Sequence, residues 1–433
     1  MNENITLIDY IIEHCNNSME TALSAERYPL WRRSCSEMND IDFIRFGLLR
    51  GIGPVDSSRH FLQTAEEVHG EPLLLSTYFK SLKSQRRTNM LEMFEKQSYA
   101  LHGKTLSWLE IDYLRQFQEF DQYTVEAADG HFIDHACHTE KGADGTVYAA
   151  GFIYSMNLRN GLLKALCCIT NGTKRNHEIP VLRNHIEKQN KEANKPEKCL
   201  YVYDKAVTDY VWWNHQTRHE NYMISVLKEN SVATFFESIP FDKSNKINIG
   251  VEGYSIYENG GIKFSVVDYR DPETQKCHRF VTTLPTASIN PVTIAMLYYK
   301  RWTMEKALNN SKSNLNEKKA WSPDVNALKN PMRFTSMSYN LMRILEEVSK
   351  TQDPELIHPS DKKYTKALEK RALIAKKRGG FVNLLFFEAR IVRISSYAIR
   401  GAQNAILTGK SFVWIMSVLV ARLVSRTHQI GEH

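Results

Sequence analysis

The sequence predicts a mixed fold of the α+β or α/β class, in which a β-rich core is flanked by helical N-terminal and C-terminal domains. Three observations support this prediction. Apolar residues recur at helical spacing through residues 1–118, which have little strand character. Residues 119–350 then contain segments in the order β-β-β-α-β, and a second β-rich block, residues 232–286, precedes a long helix. With 433 residues and a hydrophobic content of 42%, the chain can bury a large core.

The N-terminal domain, residues 1–118, is predicted to contain two helical segments in series. Ser57–Val68 is separated from a second segment, Leu73 to about Phe94, by the turn-forming sequence His69-Gly70-Glu71-Pro72, and Arg86 and Arg87 lie near the end of the second segment. This arrangement fits a helix-turn-helix that binds DNA, and it fits an ordinary helical hairpin equally well.

Three strands open the predicted core. Gln122–Ala128 alternates and is rich in β-forming residues, and it leads directly into Asp129-Gly130, which predicts a turn. Tyr148–Leu158 and Gly161–Ile169 follow as two more strands, joined by the hairpin signal Asn160-Gly161. The first strand therefore ends on an acid.

A helix and a fourth strand complete this pattern. His177–Gln189 is predicted to be helical, and the strand Cys199–Tyr203 leads directly into Asp204. Asp129 and Asp204 thus each follow a strand, although an aspartate in that position is often a turn former or helix cap. Three nearby aspartates compete with them for a functional role: Asp134, Asp144 and Asp209.

A β-rich insertion, residues 232–286, is predicted after Asp204. It follows a helix that contains Trp212-Trp213 and a short strand, Tyr222–Leu227. Its alternating segments are Val251–Tyr257, Ile262–Asp268 and His278–Leu284, with turn signals between them.

The next helix, Asn290–Trp321, carries the most informative pattern. Asn290 is a good N-cap and Pro291 suits the first helical position, so one helix is expected to run past Lys312. At about 100° per residue, four side chains project from one stripe of this helix: Tyr298, Arg301, Glu305 and Lys312. A carboxylate beside two cations and a phenol suits a metal ion next to a phosphate. The alternative is a solvated face with an Arg301–Glu305 ion pair.

The spacing Y-x2-R-x3-E-x6-K in this helix resembles the YREK signature of bacterial insertion-sequence DDE transposases, which move DNA by cut and paste. The resemblance implies a ribonuclease H-like catalytic core with a β-strand insertion. It implies that two Mg²⁺ ions, for which Mn²⁺ could substitute, lie about 3.5 to 4 Å apart. The catalytic residues that would hold these ions are Asp129, Asp204 and Glu305. The residues that would bind DNA are Tyr298, Arg301 and Lys312.

The activity implied by the resemblance is Mg²⁺-dependent cleavage of transposon-end DNA followed by strand transfer into target DNA. The implied partners are the inverted-repeat DNA of the transposon ends, the target DNA and a second copy of the chain, as a homodimer in the synaptic complex. Two alternatives remain open. A nuclease or resolvase on the same core would cut without joining, and a transposase-derived DNA-binding protein would have no activity. The presence of all three acids weighs against the second alternative.

One feature departs from the family pattern. In related transposases a tryptophan of the insertion helps to hold a flipped-out base, but this chain has no tryptophan between Trp213 and Trp302. Other aromatic residues could stack on a base instead. The candidates are Tyr298, Phe235, Phe236, Tyr254 and Tyr257.

A cluster of potential zinc ligands follows the first aspartate. It contains His131, His135, Cys137 and His138. Because scattered histidines on a strand or turn are most often plain surface residues, we interpret these as surface residues and not as a zinc site.

The C-terminal part of the chain is basic. Asn326–Lys350 is predicted to be a helix, residues 351–363 a linker, and residues 364–433 a helical domain. From residue 362 onward there are 14 Lys and Arg against 3 Asp and Glu, a balance of +11, so residues 1–361 carry −4 of the net +7. This asymmetry suits a polyanionic partner, although a basic helical tail is also a soluble surface.

The cysteine content and the N-terminal sequence indicate a protein of the reducing cytoplasm. The seven cysteines contain no CxxC pair, and the N-terminus lacks the basic and apolar regions of a secretory signal. The most apolar stretch, Ser411–Leu423, is too short to cross a bilayer and is predicted to be a buried helix. Together with the resemblance, these features predict a bacterial cytoplasmic protein associated with the nucleoid and not with a membrane.

Overall fold

The computed structural model is a mixed α/β protein built around one nine-stranded sheet. It describes residues 38–53, 57, 59–62, 74–133, 150–169, 178–192, 198–229, 231–272, 274–286, 289–315, 317, 322, 324–352, 366, 369–374, 376–377 and 402–405. Most of the predicted segment Ser57–Val68, most of the linker and most of the basic domain, including Ser411–Leu423, lie outside these residues.

The strands of the sheet are β1 Tyr123–Ile133, β2 Ala150–Asn157, β3 Leu163–Ile169, β4 Lys198–Val202, β5 Asn221–Val226, β6 Thr234–Ser238, β7 Val251–Asn259, β8 Ile262–Arg270 and β9 Cys277–Thr282. Their order across the sheet is β3-β2-β1-β4-β5-β9-β8-β7-β6. Strand β4 pairs in parallel with β1 and β5. The other neighbouring strands pair antiparallel. Because β9 pairs with β5, the predicted insertion extends the core sheet.

The main helices in the described part of the chain are α1 Asp40–Ile52, α2 Leu75–Lys83, α3 Gln85–Trp108, α4 Glu178–Asn190, α5 Tyr210–Thr217, α6 Pro291–Lys300, α7 Trp302–Asn314 and α8 Val325–Gln352. Helices α4 and α5 connect the parallel strands and pack on one face of the sheet, around the buried Trp213. The other helices bury their apolar side chains in a larger core on the opposite face. Along the buried strands, alternate residues face one or the other of these two cores.

Strand β1 is longer than predicted. It continues past Asp129 to Ile133, so the expectation of a turn at Asp129-Gly130 is wrong. Gly130 lies opposite Ile153 of β2, and a Cβ atom at Gly130 would lie 2.3 Å from the Cδ1 atom of Ile153. The glycine therefore lies in a closely packed pair of strands and not in a turn, and a larger residue there would require the end of the Ile153 side chain to move.

The second predicted N-terminal segment consists of two helices. Ser84 separates α2 from α3, and α3 continues to Trp108, so the expectation that this segment ends at about Phe94, near Arg86 and Arg87, is wrong. The guanidinium of Arg86 donates to both carboxylate oxygens of Asp40, at 2.5 and 2.7 Å. Arg87 is buried and donates to the carbonyl of Met38 at 2.6 Å. Both arginines thus fasten α3 to the start of α1.

The long predicted helix is interrupted at Arg301. Asn290 caps its start as expected, because the side chain accepts a hydrogen bond from the amide of Val292. Helix α6 ends at Lys300, and the amide of Met304 donates to the carbonyl of Arg301, three residues back, at 2.8 Å. This is the tighter spacing of a 3₁₀ turn. The expectation of one uninterrupted helix past Lys312 is therefore wrong, and α7 begins at Trp302.

Helix side chains close the edge of the sheet at β3. Asn340 of α8 accepts from the amide of Leu163 and donates to its carbonyl, both at 2.7 Å. Glu95 of α3 accepts from the amide of Ala165 at 3.0 Å. These side chains replace a neighbouring strand and fix α3 and α8 to the core. No helix in the described part of the chain is long and apolar enough to span a membrane.

Candidate active site

The register of two parallel strands brings the two predicted aspartates to the same end of the sheet. The last residue pair between β1 and β4 is Ala127 with Val202. Asp129 and Asp204 each lie two residues beyond this pair, so they are level with each other at the carboxyl end of β4. Asp204 follows the end of a strand, as predicted. Asp129 instead lies inside β1, where β4 no longer pairs with it.

Asp129 points to the face of the sheet on which α7 packs, because it shares that face with Ala127 and His131. Its Oδ1 atom accepts a hydrogen bond from the amide of Gly130 at 2.8 Å. Burial raises the pKa of Asp129, and the negative charges of Glu305 and Asp204 add to the rise, against the opposing effects of Gly130 and Arg301. The charged form is thus disfavoured, and a bound cation would stabilise it.

Asp204 and its competitor Asp209 have different environments. Asp204 is half-buried and precedes a single 3₁₀ turn, Lys205–Val207, but its side chain does not cap that turn. Asp209 accepts from the amide of Trp212 at 3.0 Å as the cap of α5, and it pairs with Arg183 at 2.7 Å. Asp209 therefore has the ordinary capping role of an aspartate after a strand.

Arg301 connects two of the predicted metal ligands. Its guanidinium lies 2.6 Å from Glu305 Oε1 and 3.8 Å from Asp129 Oδ2. Burial opposes the positive charge of Arg301, but Tyr298, Glu305 and Asp129 more than offset this effect and raise its pKa. Arg301 is therefore the internal counter-ion of the carboxylates as well as a signature residue.

Tyr298 lies beside Arg301 but is only 9% exposed. The ring centroid is 5.2 Å from that of Phe280, and the guanidinium carbon of Arg301 lies 5.3 Å from the same ring. In this conformation the ring offers little surface to a DNA base. Stacking by Tyr298 stays a prediction.

The remaining signature residue, Lys312, lies further along α7. It is half-buried and follows Glu305 by seven residues, which is roughly 10 Å of helix. The exposed aromatic residue nearest in sequence to Arg301 is Trp302, with 47% of its surface accessible. Trp302 was not among the predicted site residues, although its position directly after Arg301 in the signature was a visible signal.

Glu178 is a carboxylate near Asp129 and Asp204 that was not among the predicted site residues. Burial raises the pKa of Glu178 to about 7, and the charges of Asp129 and Asp204 contribute, while Arg301 acts against them. Glu178 is the first residue of α4, which begins after β3. Since β3 runs in the same direction as β1, this helix starts at the end of the sheet where Asp129 and Asp204 lie. An acid at the start of that predicted helix was the available signal.

We expect the substitution Glu178→Gln to stabilise the metal-free protein above neutral pH. The folded-state pKa of Glu178, about 7, exceeds the ordinary value of 4.5, so its contribution to stability is present below pH 4.5 and lost as pH rises through 7. The neutral amide avoids this loss. Allowing for partial exposure, the variant should gain about 1 to 2 kcal/mol over wild type at pH 8.

Urea unfolding in EDTA at pH 5 and pH 8 measures this difference. Glu187→Gln on the exposed side of α4 is the matched control, and it should show no pH-dependent gain. An equal effect of both substitutions would contradict the placement of Glu178 among the carboxylates.

The chemical type of the predicted ligands suits a hard divalent cation. Asp129, Asp204 and Glu305 offer carboxylate oxygens, the ligands that Mg²⁺ prefers. Asp204 and Glu305 both lie near enough to Asp129 to raise its pKa. Among the described residues, no group of three or more His, Cys, Asp or Glu side chains is assembled closely enough to hold a metal ion. Glu305 instead pairs with Arg301, so it would have to exchange this partner for a metal.

The histidine cluster and two competing aspartates are only partly described. Asp134, Asp144, His135, Cys137 and His138 lie outside the described residues. His131 is described, and the expectation that it is a surface residue is wrong, because its side chain is 2% exposed and its Nε2 atom lies 3.1 Å from Glu317 Oε2.

The aromatic residues of the insertion differ in exposure. Phe235 and Phe236 of β6 are 55% and 47% exposed, and Lys263 lies over the ring of Phe236. Tyr254 is buried, and Tyr257 is half-buried against Phe235. Of these candidates for base stacking, the two phenylalanines have accessible rings.

Comparison with models of known protein families and with curated proteins gave no match to this chain.

Proposed function

We propose that this protein is a bacterial insertion-sequence transposase of the DDE type, which cleaves transposon-end DNA and transfers the cut strand into target DNA. One observation carries the proposal. Asp129 of β1 is level with Asp204, which follows the adjacent parallel strand β4, and Arg301 joins Asp129 to Glu305 of α7. A chance match to the signature would not require its arginine to lie between its glutamate and an aspartate that is level with a second aspartate.

The topology supports a ribonuclease H-like core as part of this proposal. Strands β1 to β5 follow the order β3-β2-β1-β4-β5, with β4 parallel to both of its neighbours. Strands β6 to β9 lie between β5 and α6 in the chain, where the family resemblance expects an insertion.

Each carboxylate would have a defined part in the reaction. Asp129, Asp204 and Glu305 would hold two Mg²⁺ ions, and these would supply activation of the attacking water or 3′-OH and stabilisation of the leaving oxygen. The amide of Gly130 orients Oδ1 of Asp129, and Oδ2 is the oxygen that faces Arg301. Arg301 holds Glu305 in the metal-free protein and limits repulsion among the acids.

DNA would approach the site along α7. Trp302 is exposed beside Arg301, and stacking of one base on such a ring contributes about 1 to 3 kcal/mol. Lys306 is exposed one residue after Glu305, and Lys312 lies further along, so both could contact backbone phosphates. A second copy of the chain would handle the second transposon end, at the nucleoid in the bacterial cytoplasm.

The deciding experiment uses DNA that carries the short inverted repeats flanking the open reading frame in its genome. We expect Mg²⁺-dependent nicking at the repeat end, followed by joining of the new 3′ end to a target plasmid. Nicking without joining would favour the nuclease or resolvase alternative. Specific binding of the repeats without nicking in Mg²⁺ or Mn²⁺ would favour the inactive DNA-binding protein.

We expect deletion of residues 362–433 to weaken DNA binding and to lower its salt dependence. This segment carries 14 Lys and Arg against 3 Asp and Glu. Each lost phosphate contact should reduce the slope of log K against log salt by about 0.9. Binding to repeat DNA at several salt concentrations measures the slope, with thermal unfolding to check the core. An unchanged slope in a folded truncated protein would remove this segment from the DNA interface.

A further inference from the structure

A buried carboxylate lies just beyond the end of α7. Glu317 follows Asn314, the last residue of that helix, by three positions, and its side chain is 2% exposed. The hydroxyl of Tyr154 donates to Oε1 of Glu317. His131 Nε2 lies 3.1 Å from Oε2, an ion-pair distance without the alignment of a hydrogen bond. A buried carboxylate is costly unless it has such partners, so they hold Glu317 in place.

Both partners of Glu317 are immediate neighbours of Asp129 on the sheet. Tyr154 of β2 is the residue directly opposite Asp129, and His131 follows Asp129 by two positions on β1. All three side chains therefore lie on the same face. The rings of His131 and Tyr154 are stacked, with centroids 6.0 Å apart and an interplanar angle of 19°. The two stacked rings thus lie together beside Asp129.

The chain between Glu305 and Glu317 is consequently fixed at both ends. At its start, Glu305 is tied to Asp129 through Arg301. At its end, Glu317 is tied to the two residues that flank Asp129. The hydroxyl of Tyr154 also lies 3.4 Å from the carbonyl of Met332, which links the same point to α8.

We propose that Glu317, held by Tyr154 and His131, is a positioning residue. It clamps the carboxyl end of α7 to β1, which bears Asp129, and to the neighbouring strand β2, and it thereby fixes the position of Glu305. This proposal rests on the proposed function, in which Glu305 and Asp129 share metal ions. Glu317 itself touches neither DNA nor metal in this arrangement. Glu317 affects the site only by fixing the orientation of α7.

The test compares two single-atom deletions. Tyr154→Phe removes the hydroxyl that holds Glu317. Tyr201→Phe, the matched control, removes the hydroxyl of a buried tyrosine that bonds Gln189 on the opposite face of the sheet. Glu317→Gln serves as a second variant, because it retains an acceptor for Tyr154 and removes only the charge.

The first measurement is hydrogen exchange of α7 amides in EDTA, which depends neither on metal nor on activity. We expect faster exchange in α7 for Tyr154→Phe and a smaller increase for Glu317→Gln, with α7 unchanged in Tyr201→Phe. Equal protection of α7 in wild type and Tyr154→Phe would overturn the clamp, whatever the protein does to DNA.

The second measurement is the Mg²⁺ concentration that half-saturates nicking. Loss of a group that orients a metal ligand typically lowers metal affinity by about 10- to 100-fold, so we expect at least a tenfold rise for Tyr154→Phe, with repeat binding intact. A rise of the same size in Tyr201→Phe would indicate general destabilisation and overturn the clamp. A wild-type protein that does not nick refutes the proposed function, and the exchange experiment then still decides whether Glu317 holds α7.

Discussion

The substitution Glu305→Gln should leave the protein folded and able to bind repeat DNA while reducing nicking by at least about 1,000-fold, or about 4 kcal/mol of transition-state stabilisation. Glutamine keeps the shape of the side chain and one carbonyl oxygen but removes the charge. Hard divalent ions require anionic oxygens, and a two-metal site with three carboxylates has none to spare. Binding to repeat DNA should be unchanged or tighter, because one negative charge near the phosphates is gone.

A gel-shift assay beside a Mg²⁺-dependent nicking assay on the same DNA measures both quantities. Asp129→Asn and Asp204→Asn should behave like Glu305→Gln, and combining them should add little, since the three residues act as one unit. Asp209→Asn is the matched control, because asparagine still caps α5 and the residue lies outside the site. Near-normal nicking by Glu305→Gln would mean that Glu305 only pairs with Arg301, and it would refute both the site and the proposed function.

Local sequence patterns predicted most of the sheet. Alternation and β-forming residues located β2 and β3 to within a few residues, and Asn290 with Pro291 located the start of α6. The short strand β6, Thr234–Ser238, was missed because all five of its residues are exposed. It therefore lacks the alternation that a half-buried strand shows.

Other features depend on contacts that a local pattern cannot contain. Gly130 suggested a turn, but it lies within β1, where the end of the Ile153 side chain from the neighbouring strand packs against it. Asp129 stays a predicted site residue, and the register of β1 with β4 brings it level with Asp204 although the expected turn is absent. His131 was interpreted as a surface residue because Glu317, its partner, lies 186 positions away in the sequence.

The charged residues of the signature also have contacts that local sequence patterns do not reveal. Angular arithmetic placed Arg301 and Glu305 on one stripe, and the two side chains do pair at 2.6 Å. The arithmetic could not show that Arg301 is buried or that its guanidinium also reaches Asp129. The resemblance assigned Arg301 to the DNA backbone, whereas in the structure its nearest anions are carboxylates of the protein itself.

Because Arg301 pairs with carboxylates of the protein, we expect its replacement to have a large effect on stability. In EDTA, Arg301→Met should lower the free energy of unfolding by about 2 kcal/mol, because it leaves the carboxylates of Asp129 and Glu305 without their counter-ion. We place the effect below that of a fully buried pair, since the side chains of Asp129 and Glu305 remain 25% and 35% exposed. Saturating Mg²⁺ should restore most of the loss, because a divalent cation supplies the missing positive charge.

Urea unfolding of wild type and variant in EDTA and in Mg²⁺ tests this expectation. Lys312→Met is the matched control, because it removes the other signature cation, and Lys312 forms no ion pair within the described part of the chain. It should cost less than about 1 kcal/mol in either buffer. If Arg301→Met kept wild-type stability in EDTA and lost only repeat binding, Arg301 would be a phosphate contact, as the resemblance assigned it. If Mg²⁺ stabilised neither protein, the cluster of Asp129, Asp204 and Glu305 would not be a metal site, because a ligand that binds the folded state must raise its stability.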